Sequence, residues 1–425
     1  MSGTEAPDSL LPTHTSKTPR AIKAPRAVKR ITFDRTEASP GETLYVHVPK
    51  LNENEVLVPG SLGLRFDIDV PKATGGGGGH DNNHLVQNVS RALVSKMVVK
   101  FAGTILQDTD GYDLFKIYED LFLSQEQRDD MILEGIQSPD LCKLRHNTTD
   151  KPKSGVDAEN KLTENFGTKY YIWLDHEILT DHGVFYPQAL YNDLVFELTL
   201  ASAAQVVQGT DSAKLKYKLT NIQLEYEMIR SEQLALEAAS AYSSGKEFLY
   251  YHVHLEKTIP FAKNSDEQLN IKVNTQRRSL KAILLLFTEP YTAGQRDSEK
   301  FVFPDLTKVK VTINGSPSML YNEGIVATDL WREARRFFVR EKNKTEYMTL
   351  KLFLAGDRFG LLVDLRSMAD RSMHGSGVRL VNTTDGVQLE LERKTSGSGN
   401  INCQVFVISD AQFNILGNQL QDVQY

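Results

Sequence analysis

Asp175, His176, Glu177, Asp181 and His182 gather two imidazoles and three carboxylates within eight residues, which is the donor set of a hydrolytic zinc centre. The spacing argues against that chemistry. The two histidines are six apart, whereas a zincin helix presents its pair four apart, and the stretch reads better as a polar loop at a strand end. His80 and His84 do have the four-residue spacing, but the flanking Gly75–Gly79 run disfavours a helix and no third ligand is evident. His252 and His254 share one face of a strand, and two ligands there do not make a site.

The glycine run is not followed by Lys-Ser/Thr or by a helix entry, so it does not cradle phosphate and reads as a loop. Asp108, Asp110 and Asp113 with Glu119 at the twelfth place resemble a calcium loop, yet Gly111 falls fourth instead of sixth and Tyr112 fills a ligand position. A tight turn with Asp113 capping the next helix is the plainer reading. No G-x-S-x-G, P-loop or H-E-x-x-H motif is present. Paired carboxylates for glycoside cleavage are set in space and leave no spacing to read. The expectation is a chain that is not an enzyme, with no cofactor, metal or small-molecule substrate.

One pattern does suggest binding. Lys17, Arg20, Lys23, Arg26 and Lys29 recur every third residue, with Arg30 adjacent and Pro19 and Pro25 between. Polyproline II has three residues per turn, so the cations would line one edge. With no aromatic residues interleaved, contact with nucleic acid would be to phosphates, salt-sensitive and indifferent to sequence. An acidic shell partner, nuclear targeting and a solvated tail are the alternatives.

These residues belong to a chain of 425 residues, long enough for two domains of roughly 190 residues behind a short arm. Hydrophobic residues at 40% and charged residues at 24% exclude wholesale disorder. Two cysteines, Cys142 and Cys403, exclude a disulfide framework and favour an intracellular folding compartment. Five sequons, at Asn88, Asn147, Asn314, Asn343 and Asn382, read as chance triplets in Asn- and Thr-rich loops. Met1 to Pro12 lacks the pattern of a signal peptide, and the apolar run Ala282–Phe287 is too short to span a membrane. The net charge is −6, but residues 1–35 carry seven Lys/Arg against Glu5, Asp8 and Asp34, which marks them off from an acidic remainder.

Period-two alternation dominates the rest. Leu62, Leu64, Phe66, Ile68 and Val70 alternate with polar neighbours, as do Leu215, Tyr217 and Leu219, then Ile222, Leu224, Tyr226 and Met228, and Val387, Leu389 and Leu391. Ser279–Phe287 is nearly continuous apolar and predicts a strand covered on both faces. Helices are few: Ser124–Gln127 has capping-box spacing with Gly135 to close the helix, and Ser231–Ala241 makes a connector hinged at Ser243-Ser244-Gly245. A strand-turn-helix pattern occurs twice, about 212 residues apart, as Met97–Gly103 with Tyr112–Leu121 and Val309–Gly315 with Asp329–Phe338. Many short strands in a duplicated arrangement predict tandem β-sandwiches.

Tyr171-Ile172-Trp173-Leu174, followed by His182 to Leu198, resembles the aromatic strand, proline turn and next strand of double jelly-roll major capsid proteins. Asp305–Gly315 is similar to the strand and turn that open their second jelly roll, and Cys403–Asp410 to their closing strands. With Leu85–Asn88 through Ile136–Ser138, the chain most resembles capsid proteins of the Polinton (Maverick) and adintovirus group, in the lineage of adenovirus hexon and large DNA virus capsids. The resemblance covers roughly residues 50 to 425 and excludes the arm.

The resemblance implies an all-β chain of two tandem eight-stranded jelly-roll sandwiches, with short helices in loops and a flexible N-terminal arm. The expected divisions are arm 1–45, first jelly roll 46–230, helical connector 231–245 and second jelly roll 246–425. It further implies homotrimers forming pseudo-hexagonal capsomers, shell contacts between trimers, penton and minor capsid proteins as partners, and a virion made inside the host cell around double-stranded DNA. The arm's cations would contact genome or inner shell. The main alternative is a two-domain carbohydrate-binding or glycoside-cleaving β-sandwich protein using Trp173, Trp331 and loop carboxylates; both tryptophans are expected in the core.

Overall fold

The computed structural model of the chain describes residues 25–70, 83–137, 142, 168–209, 214–318, 325–339, 346–368 and 373–425. Its strands form two sandwiches, each of two sheets. In the first, β1 (Arg26–Thr32), β11 (Lys218–Arg230), β4 (Gly63–Asp69) and β8 (Lys169–Trp173) pair in that order, with β3 (Glu55–Leu57) also on β11. They face β2 (Thr43–His47), β9 (Leu194–Leu200), β6 (Val94–Phe101) and β7 (Thr104–Asp110). In the second, β12 (Lys246–Ala262), β19 (Asn400–Leu416), β14 (Leu280–Thr288) and β17 (Gly360–Asp364) pair in that order, with β20 (Gln419–Gln424) also on β19. They face β13 (Gln268–Val273), β18 (Val387–Arg393), β15 (Leu306–Ile313) and β16 (Ser316–Pro317). A separate pair, β5 (His84–Leu85) with β10 (Val207–Gln208), lies outside these sheets.

Setting aside β3, β5, β10 and β20, both halves have the same order. The first, eighth, third and sixth strands make one sheet, and the second, seventh, fourth and fifth make the other. That is the eight-stranded jelly roll, made twice. The repeated strand-turn-helix pattern falls on equivalent places: β6 turns into β7 through Ala102-Gly103, and β15 into β16 through Asn314-Gly315, all four residues having positive φ. Two central residues of positive φ are what a tight hairpin of matching twist requires. Each hairpin is followed by a helix, Tyr112–Asp120 and Ala327–Phe338 respectively. Leu280–Phe287 is buried throughout, as its unbroken apolar text implies.

Several expectations are corrected. The stretch assigned to an arm over 1–45 already contains β1, paired antiparallel with β11 from Arg26↔Ile229 to Thr32↔Gln223. Acidic residues on β11 supply the partners that make a two-residue period the better one there, so the three-residue spacing does not describe Arg26 to Arg30. Leu215 and Tyr217 precede β11, which runs unbroken from Lys218 past a register shift at Asn221, a residue in the left-handed region. The connector is the helix Glu232–Ser244 capped by Ser231; Ser243 and Ser244 finish its last turn, and Gly245 alone, at φ 117°, makes the hinge.

Two hydrophobic cores result, and they share strands. On β12, Phe248 and Tyr250 belong to the first core and Val253 and Phe261 to the second. On β19, Ala411, Phe413 and Ile415 belong to the first, whereas Val405 to Ile408 belong to the second. Each strand has 17 residues, about 55 Å of extended chain, enough to run through both sandwiches. The helix Tyr112–Asp120 crosses the other way: Phe115, Ile117 and Tyr118 enter the second core. Tyr118 meets Phe122, Phe301 and Phe338 edge-on at 5.4 to 5.6 Å. Its ring lies so close to Gly360 that an added Cβ would sit 2.4 Å from Tyr118 Cζ, which explains the glycine.

Phe248 and Phe413 stack at 4.9 Å, nearly parallel, where β12 and β19 enter the first core. Phe248→Ala is expected to cost about 3 to 5 kcal/mol and to leave denaturant unfolding a single transition, because both cores hang on the same strands. Separate transitions for the two halves, followed by fluorescence and circular dichroism, would contradict this.

Candidate functional site

The motif richest in chemical groups lies at the seam between the sandwiches. Asp175 accepts from Arg91 at 2.8 Å and pairs with Lys116 at 3.0 Å. Burial opposes its charge, but Arg91 and Lys116 outweigh burial and hold the carboxyl well below the usual range. His176 caps the short helix Glu177–Thr180, with Nδ1 accepting from Ile178 N–H at 3.3 Å. Its Nε2–H therefore donates to Gln107 Oε1 at 3.0 Å. Burial pushes this imidazole down to about 3 and keeps it neutral. Glu177 accepts from Tyr251 N–H on β12 at 2.5 Å, and His182 Nε2 lies 2.7 Å from the Leu249 carbonyl on the same strand. Residues that read as a metal or hydrolytic cluster thus fasten the first sandwich to β12.

A cavity of about 430 Å³ opens beside them, lined by Lys116, Glu119, Asp175, Tyr251, His374 and Phe338 among others. Half-buried Asp175 is matched by Arg91 and Lys116, and both nitrogens of half-buried His176 are engaged. Among the described residues no three His, Cys, Asp or Glu side chains are placed to hold a metal ion.

Buried ion pairs extend the seam. Arg296 donates to Asp113 at 2.7 Å, and Arg128 to Glu299 at 2.7 Å, each joining one half of the chain to the other. Asp113 therefore does not cap its helix; Gly111 occupies the cap position and the carboxylate goes to Arg296. Nothing in the sequence pairs these residues, which stand 183 and 171 positions apart. Lys281, inside the apolar strand β14, is fully buried and lies 3.0 Å from Asp410, 3.1 Å from Tyr251 Oη and 3.0 Å from the Met373 carbonyl. Burial lowers its pKa.

The basic residues divide. Lys17, Arg20 and Lys23 lie outside the described residues. Arg26 and Arg30 pair with Glu227 and Glu225 on β11, and Lys29 reaches Glu55 at 3.1 Å. Glu55 is buried, which opposes ionisation, but hydrogen bonds from Arg230, Asn52 and Lys29 hold it at about 2. Gly75–Gly79 and His80 also lie outside the described residues, while His84 meets Gln208 at 3.0 Å. His252 and His254 sit with ring centroids 6.3 Å apart, and His252 is buried. Of the sequons, Asn88 is buried and donates to Asp120, Asn314 and Asn382 occupy exposed left-handed turns, and the other two lie outside the described residues. Trp331 packs against Phe353 at 5.3 Å. Trp173, expected in the core, is 42% exposed, because alternation along β8 sends Tyr170 and Ile172 inward instead.

The chain is similar over nearly its whole length to solved capsid structures. VP54 of PBCV-1, as fitted into a reconstruction of the virophage Sputnik, matches with a TM-score of 0.62 at 12% identity, covering 96% of this chain and 99% of that one. The Faustovirus major capsid protein matches at 0.59 and 8% identity, covering 96% and 92%. The mavirus major capsid protein matches at 0.56 and 10%, covering 99% and 95%. No protein-family model matches the sequence, and no curated protein matches it. The fold is the double jelly roll of these major capsid proteins.

Two outcomes follow from the seam. Asp113→Ala leaves Arg296 buried without its counter-charge and should cost about 3 to 5 kcal/mol, whereas Asp113→Leu with Arg296→Met should recover most of it; chemical denaturation of the three variants checks both. His176 and His252 have folded pKa values of about 3 against 6.5. Between these limits the unfolded chain binds more protons than the folded one, so stability falls as pH drops below 6.5. Glu55, at about 2 against 4.5, extends the loss below pH 4.5. The melting temperature should fall steadily on acidification, with His252→Gln flattening the upper part of the descent; an unchanged slope would count against the assignment.

Proposed function

We propose that this protein is a major capsid protein, three copies of which form a pseudo-hexagonal capsomer of an icosahedral shell around double-stranded DNA, in a virus or integrated element of the Polinton type. The observation that carries this reading is the repetition of one strand order in two sandwiches locked by shared strands. Three such rigid pairs set six similar sandwiches around an axis, and identical tiles then need only complementary rims. The seam's groups support the same reading, because their charges and hydrogen bonds are engaged in holding two slabs together. Self-association, followed by contacts between trimers and with penton and minor capsid proteins, is the activity, and the virion, assembled within the host cell, is its location.

For the basic segment we assign non-specific DNA or inner-shell contact chiefly to Lys17, Arg20 and Lys23, since Arg26, Lys29 and Arg30 already pair with carboxylates in the sheet.

Static light scattering of the purified protein at micromolar concentration is expected to give three times the chain mass, with six-lobed particles in negative stain; a stable monomer refutes the reading. Replacing Lys17, Arg20 and Lys23 together by Gln should leave the trimer intact and lower the salt slope of DNA binding by about 2 to 3. An unchanged slope removes DNA as the arm's partner.

A further inference from the structure

Within the chain, β7 of the first sandwich lies against β12 of the second. Tyr250 Oη donates to the Leu106 carbonyl at 2.6 Å, Thr109 Oγ1 donates to the Val253 carbonyl at 2.6 Å, and Glu177 secures β12 beside them. In the common strand order this is a fifth strand packed on a first strand of the next sandwich. One chain can make that contact only once. It leaves over the equivalent pair, β1, the first strand of the first sandwich, and β16, the fifth strand of the second.

Both leftover strands are sheet edges and both are exposed. Val28 and Ile31 stand 55% and 42% exposed on opposite faces of β1, whereas Phe248 and Tyr250 on its counterpart β12 are buried. Edge strands are usually kept solitary by charged side chains that repel a partner. Here each cation of β1 is engaged by a carboxylate of its own sandwich, Glu227, Glu55 or Glu225, of which Glu55 also holds Arg230 and Glu225 also faces Arg65. Among the described residues the strand therefore presents apolar side chains at a sheet edge whose cations are held back.

We infer, resting on the trimer reading above, that β1 of one copy docks on the β15–β16 hairpin of a second copy, repeating between chains the contact that β7 and β12 make within one. A closed ring of three chains then has six contacts of one kind, three internal and three between copies. The occupant of the exposed edge is this chain itself, because the chain already shows how the equivalent edge is covered.

The test uses the full-length protein in two variants. Val28→Asp with Ile31→Asp alters exposed side chains, so the melting temperature of the dissociated chain should hold while the light-scattering mass falls from three chains to one. Val28→Cys with Ser316→Cys should give disulfide-linked dimers and trimers on a non-reducing gel under mild oxidation, and neither single substitution should give the linked trimer. With the wild type trimeric, an aspartate variant that stays trimeric, or a cysteine pair that stays unlinked, overturns the docking and leaves the trimer reading standing. A monomeric wild-type protein overturns the trimer reading and the docking together.

Discussion

The structure depends on two strands that belong to both halves. β12 and β19 each carry side chains of the first core at one end and of the second at the other, so neither sandwich can be completed without the other. Their pairing runs from Lys246↔Ile415 to Ala262↔Asn400, and the helix Tyr112–Asp120 answers it by lending Phe115, Ile117 and Tyr118 to the second core. An ordinary interface between domains of one chain is polar and allows relative motion. A seam built of shared strands and exchanged side chains does not, and it holds the two sandwiches as one rigid pair.

The seam's charges have a different role. Burying Asp113 with Arg296, or Arg128 with Glu299, adds little to stability over an apolar pair of the same shape, because desolvation offsets the attraction. Such pairs penalise wrong arrangements, since any slip of one sandwich against the other strands a charge away from water. The apolar exchange supplies the adhesion, and the ion pairs specify its register. His176 acts similarly, with its tautomer set by Ile178 and Gln107.

Much of the fold was legible because it obeys local periodicity. Alternation located β4, β11 and β18, the unbroken apolar run located β14, and the repeated pattern at Met97 and Val309 exposed the duplication. Capping chemistry located the helix after Ser124, where the Ser124–Gln127 box is present. What failed was set by partners distant in sequence. β1 is a strand through its ladder with β11, whose Glu225 and Glu227 meet its cations, and nothing between Arg26 and Thr32 announces that partner. The cluster at Asp175 to His182 was visible as a concentration of groups, but its use as a clamp depends on Arg91, Lys116 and β12. Trp173 was misplaced by reading its strand as uniformly apolar when its inward face holds Tyr170 and Ile172.

Residues 411–415 complete the first core, yet they are synthesised after every other strand of the first sandwich and after β12 to β18 of the second. During translation the amino-terminal sandwich must therefore wait, with its hydrophobic floor open, until that segment leaves the ribosome. Domains usually fold in the order in which they emerge; here the early half stays unfinished and both halves close together. A polypeptide interrupted before residue 411 would display greasy, unsealed surface to chaperones and proteases.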